Sequence, residues 1–162
     1  MLFRSVSVAT PDQPGVKQPP WSAFESAAHH AAGLSAAGKL WLLGYSEPAL
    51  PQLPTTLTFL YLFSSTLRVV PVSPTLLSLS LGISTVNSAS LEWPAHLSAM
   101  TQLTELTLDS CHLSELPAPL AALPALEKLS LSHNDLTDLP QDLACVGCLR
   151  GLVLYGNLLQ WV

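Results

Sequence analysis

Between Leu103 and Leu159 the chain writes one apolar pattern three times, and this repetition restricts the possible folds more than any other feature. Leu103, Leu106 and Leu108 are followed by Cys111 and Leu113, and Leu126, Leu129 and Leu131 by Asn134 and Leu136. The third copy reads Leu149, Leu152, Leu154, Asn157, Leu159, and the opening leucines stand 23 residues apart in both intervals. A fixed period of this size marks stacked supersecondary units. A single unit is too small to bury its own leucines, so the core exists only where neighbouring units meet.

Traced backwards, the pattern continues in shorter form. Leu40, Leu42, Leu50, Pro51 and Pro54 recur 20 residues later as Leu60, Leu62, Val70, Pro71 and Pro74. The next unit opens with Leu76, Leu79 and Leu81. It lengthens by about four residues around 87–90, an insertion that a loop absorbs at little entropic cost. A proline follows the last leucine of the regular units, in Leu116-Pro117 and Leu139-Pro140, with Trp93-Pro94 a looser match. The pattern L-x-x-L-x-L-x-x-N/C-x-L resembles the leucine-rich repeat. Its L-P signature is similar to the intracellular and bacterial-effector types and lacks the L-x-G-x-I-P of plant receptor ectodomains.

That resemblance implies an α/β solenoid of about six units, the early ones degenerate and the last truncated. Each L-x-L becomes a short strand, and the strands stack in parallel along one concave face. Return segments carrying Leu120, Leu123, Leu143 and Val146 form short helical or irregular turns behind them. The turn position after each strand runs Tyr45, Ser65, Ser84, Cys111, Asn134, Asn157. An asparagine amide there satisfies backbone groups that the turning chain leaves unpaired.

Three regions follow. Residues 1–20 hold Pro11, Pro14, Pro19 and Pro20 without periodicity and read as a flexible arm. Residues 21–38 read as an N-terminal capping helix, predicted over Ala23–Ala37. Ser22 and Glu25 have the spacing of a capping box, alanine favours helix, and Gly38 stands at the C-cap. Residues 39–162 form the repeat domain. At its far end Leu158, Leu159, Trp161 and Val162 are expected to make an apolar contact patch, either because the chain is a fragment of a longer array or because something covers that end.

Composition narrows the function classes. The hydrophobic share of 49% is high for a soluble chain, yet a leucine ribbon between coils accounts for it without a membrane span. Glu92 to Asp142 holds eight acidic residues against Lys128 alone, and the whole chain has six Lys and Arg, so nucleic acid is not an expected partner. Three cysteines and no N-x-S/T sequon point to a reducing, cytoplasmic setting. No secretory signal is expected at the N-terminus.

Chemistry-bearing motifs are few. Cys145 and Cys148 form a C-x-x-C, but the repeat offset puts them at the places of Ala122 and Ala125, where small residues suit packing. No second ligand pair stands at zinc spacing. His29 and His30 are adjacent, so on a helix they diverge by about 100° and cannot chelate together. No catalytic residues, cofactor or metal are therefore expected, and the chain reads as a non-enzyme.

What remains is the concave face, where a protein or peptide ligand is expected to bind. Its candidates are Trp41, Phe59, Tyr61 and Phe63 in the early units, then Glu105, Asp109, Lys128, His133, Arg150 and Tyr155. Aromatic residues and Arg on a rigid surface are the types enriched at interface hot spots. The competing reading makes Trp41, Phe59, Tyr61 and Phe63 core residues of irregular early coils. Alanine at Tyr61, Asp109 or Arg150 is expected to weaken binding and leave the fold intact. The family also implies an alternative, the recognition part of a larger signalling enzyme, effector ubiquitin ligase or immune-type receptor.

Overall fold

A strand forms wherever L-x-L falls, because alternate side chains of an extended chain point to opposite faces and both leucines then enter the core. In the computed structural model, which describes residues 28–35, 38–45, 50, 53–63, 67, 69–82, 97–116, 120, 123–139, 143 and 147–160, these strands line up in one seven-stranded sheet. They are β1 (Ala28–Ser35), β2 (Lys39–Tyr45), β3 (Phe59–Phe63), β4 (Ser78–Gly82), β5 (Glu105–Thr107), β6 (Lys128–Ser130) and β7 (Gly151–Val153). Their spatial order is their sequence order. From β2 to β7 every pairing is parallel, as a solenoid that adds one strand per coil requires.

The register agrees with the repeat. Leu40 pairs with Leu60, Leu60 with Leu79, Leu79 with Leu106, Leu106 with Leu129 and Leu129 with Leu152. One backbone joint recurs at each step. The carbonyl of Gly38 accepts from the N–H of Thr58 and Phe59, that of Thr58 from Leu77 and Ser78, and that of Leu77 from Thr104 and Glu105. Thr104 and Glu127 continue the series toward Lys128 and Gly151. Sharing one carbonyl between two donors satisfies both N–H groups where the chain enters the sheet.

Behind the sheet the leucines make one continuous core. Leu42, Leu57, Leu62, Leu76, Leu108, Leu126, Leu131 and Leu136 are fully buried, and the return-segment residues Leu97, Leu120 and Leu123 close it from the back. Leu97–Ala99 is a 3₁₀ turn. Leu143 packs partly buried against this core, while Val146 lies outside the described residues.

The N-terminal cap differs from the expectation. Ala28–Ser35, inside the predicted helix Ala23–Ala37, is a strand that pairs antiparallel with β2, from Ser35 opposite Lys39 to Ala28 opposite Tyr45. Ser22, Glu25 and the arm 1–20 lie outside the described residues. Helix propensity and a capping box are each worth about 1 kcal/mol or less, whereas a bare β2 edge would present a row of unpaired backbone groups. Pairing wins over propensity. Gly38 serves this hairpin rather than a helix end. Its φ of 69° lies in the left-handed region, and a Cβ there would stand 2.3 Å from the Thr56 carbonyl oxygen. Gly38→Ala is expected to cost more than the left-handed strain alone, about 1–2 kcal/mol, because the Thr56 backbone must also shift, and the loss is read as a lower urea midpoint.

The turn ladder is present where it is described. Asn134 Oδ1 accepts from the N–H of Cys111 and Leu113, both at 3.0 Å, while its Nδ2 donates to the carbonyls of Leu108 at 2.8 Å and Leu131 at 2.9 Å. Asn157 repeats this, donating to Leu131 and Leu154 and accepting from Leu136 N–H. Cys111 makes the equivalent upward contact with its thiol, which donates to the Leu81 carbonyl at 3.3 Å. Ser65 and Ser84 lie outside the described residues.

Candidate protein-interaction surface

In-register parallel strands turn alternate residues into rows that run across the sheet, and the rows between the leucines face away from the core. One row is Lys39, Phe59, Ser78, Glu105, Lys128, Gly151; the next is Trp41, Tyr61, Ser80, Thr107, Ser130, Val153. A third begins with Leu43, Phe63 and Gly82 and continues through Asp109 and Ser132, which are joined by a hydrogen bond. The candidate residues on the strands thus share one surface.

Its N-terminal end is aromatic. Trp41 is 41% exposed and Tyr61 43%, large values for such side chains on a central sheet. Phe59 and Phe63 are half-buried on this same face, so they belong to the surface and not to the leucine core. Their partial cover has visible causes. The Lys39 ammonium lies 4.6 Å above the Phe59 ring, a cation–π contact. The Phe63 ring stacks on Tyr61 with centroids 6.3 Å apart and leans across β4, where a Cβ on Gly82 would meet it at 3.1 Å.

Toward the middle the face carries small side chains, Ser78, Ser80, Gly82 and Thr107. Glu105 and Lys128, cross-strand partners, form an ion pair, and this hydrogen bond holds the Lys128 ammonium above its ordinary pKa. Asp109 corrects one expectation. Its Oδ1 accepts from Ser130 Oγ at 2.7 Å and from the Ser132 N–H at 2.8 Å, so the carboxylate ties two coils together. Alanine at Asp109 would disturb the fold as well as the surface, because it strips both donors of their acceptor.

At the C-terminal end His133 meets Tyr155 edge to face at 5.2 Å, and Tyr155 is 72% exposed. Arg150, just before β7, stands 4.0 Å from Glu127. Beyond them Leu152 is 37% exposed although it continues the row of Leu106 and Leu129, and Leu158 is 60% exposed. Leu159 remains partly buried against the core, and Trp161 and Val162 lie outside the described residues.

The turn that carries His133 was not anticipated. Ser110 (φ 57°), His133 (φ 56°) and Gly156 (φ 73°), each one residue before a ladder position, all adopt left-handed backbone. Gly156 was the available signal, since glycine takes this conformation without strain. The coil bends the same way at the same step every 23 residues, and residues 101–159 match the family model for the leucine rich repeat.

Residues 101–159 belong to the leucine-rich repeat family. The match spans the leucine-rich repeat coils of β5, β6 and β7, while the coils of β2, β3 and β4 join the same solenoid through continuous parallel register. No curated protein matches it.

Among the described residues of this leucine-rich repeat, no three of His, Cys, Asp and Glu lie close enough to hold a metal ion, and no helix is long and apolar enough to cross a membrane. Cys148 is an exposed free thiol and not the packed residue that its offset from Ala125 suggested; Cys145 lies outside the described residues. The small-residue rule fails at Cys148 because its turn lies on the surface beside Gly147, also exposed, where nothing has to pack closely.

Proposed function

We propose that this protein is a non-catalytic interaction module that binds a protein or peptide on its concave strand face, in a cytoplasmic setting. The observation that carries the reading is the exposure of Trp41 and Tyr61 side by side on paired strands of a rigid sheet. Large apolar rings on fixed backbone lose little entropy on binding and bury much area, which is why such residues dominate interface energetics. Glu105, Lys128, His133, Arg150 and Tyr155 supply a polar, partly aromatic continuation along the same face. The apolar residues around Leu158, which is exposed, form a second contact surface.

Cross-linking of the tagged chain in cell extract, followed by quantitative recovery with variants, tests the reading. Trp41→Ala and Tyr61→Ala are each expected to reduce recovery of the main partner at least about tenfold, the loss of a hot-spot contact, with the melting temperature unchanged. Full recovery with both variants would remove the strand face from consideration.

A further inference from the structure

We infer that the aromatic end of the strand face docks an extended partner segment in which an acidic residue stands two positions from a bulky apolar one. The carboxylate meets Lys39 and the apolar side chain lies against Trp41 and Tyr61. This rests on the interaction-module reading above and adds the chemistry of the ligand.

The argument begins with charge. On this face Glu105 is paired with Lys128, Arg150 stands near Glu127, and the Asp109 carboxylate is occupied by Ser130 and Ser132. Lys39 is different. Among the described residues its ammonium has no carboxylate partner, only the Phe59 ring at 4.6 Å. A ring face attracts a cation through its quadrupole but leaves the ammonium's N–H donors without a localised acceptor. The side chain is exposed and held by that ring, so a carboxylate approaching from outside finds a positioned cation. A basic segment would instead meet a like charge beside the apolar platform.

Spacing then selects the sequence pattern. Lys39 and Trp41 are alternate residues of β2 and lie on one side of the strand, about 7 Å apart. Tyr61 is the cross-strand partner of Trp41, about 5 Å away. An extended segment laid along β2 presents its own alternate side chains at the same interval, so an acid and an apolar residue two positions apart reach Lys39 and the Trp41–Tyr61 pair together. Adjacent residues of such a segment point to opposite sides and cannot.

A phage-displayed library of random 12-residue peptides, panned on the full chain, tests this. Enrichment of Asp or Glu two positions from Trp, Phe or Leu is expected. For a synthesised winner, Lys39→Met should weaken binding severalfold, up to about fivefold for one exposed pair, and Lys39→Glu should weaken it further. A peptide with its acid replaced by Lys should prefer the Lys39→Glu protein. Trp41→Ala should cost about thirtyfold, the mark of a hot spot. Circular dichroism melts of each variant confirm the fold. Peptides that need Trp41 and Tyr61 but are indifferent to the charge at Lys39 would overturn the inference and leave the interaction module standing. Winners unaffected by Trp41→Ala and Tyr61→Ala would overturn both, and a library that yields no enrichment counts against the inference.

Discussion

Asn134→Ala is expected to lower the unfolding free energy by about 3–5 kcal/mol, because one buried amide holds backbone groups of two coils at once. Asn134 is 3% exposed. Its removal strips the N–H of Cys111 and Leu113 of their acceptor and the carbonyls of Leu108 and Leu131 of a donor, each a buried or nearly buried polar group. Leaving one such group unsatisfied costs about 1–3 kcal/mol, and water entering the gap recovers part of the total. The neighbouring ladder position is the control. Asn157 donates equivalently to Leu131 and Leu154 but accepts from the Leu136 N–H alone and is only half-buried, so fewer groups lose a partner, water replaces its amide more easily, and Asn157→Ala should cost about half as much. Urea titrations of the two variants side by side decide the matter: equal losses would mean that burial does not set the value of the ladder.

Leu131→Ala is expected to cost about 2–5 kcal/mol, the range for truncating a fully buried leucine into an incompletely collapsing cavity. Leu131 is 0% exposed and packs within the core that runs through every coil. Leu152 has the same side chain on the next strand but is 37% exposed, so Leu152→Ala should cost about 1 kcal/mol or less. A repeat array distributes stability by neighbour contacts, and the interior coil has two neighbours to lose. Thermal melts in which Leu152→Ala proved as damaging as Leu131→Ala would show that β7 is covered by something beyond the contacts described.

The parts legible in advance were those that depend on local repetition. Leucine spacing predicted the strands, their order, the parallel stacking and the asparagine ladder, because a residue at a fixed place in a repeat has the same environment in each coil. Even the lengthened unit left its trace: Cys111 reaches Leu81 across 30 residues where Asn134 reaches Leu108 across 26. The aromatic candidates on β2 and β3 were placed on the strand face by register alone.

The misreadings share a cause. Ala28–Ser35 looked helical because its composition speaks only of its own backbone, and the unpaired edge of β2 that claims it is a property of the assembled sheet. Asp109 looked like a free surface acid, since no linear pattern shows that Ser130 and Ser132 arrive beside it from the next coil. Cys148 looked like a packing residue because an average offset ignores which turns face outward.

By itself the sequence determined that this chain stacks leucine coils into a solenoid, since that core follows from a period any short segment repeats. Only the tertiary structure decided how the first edge is capped, which polar side chains are consumed holding coils together, and which remain outward beside Trp41 and Tyr61. Those outcomes depend on backbone and side-chain groups brought together from different coils, and such meetings exist only once the sheet has formed.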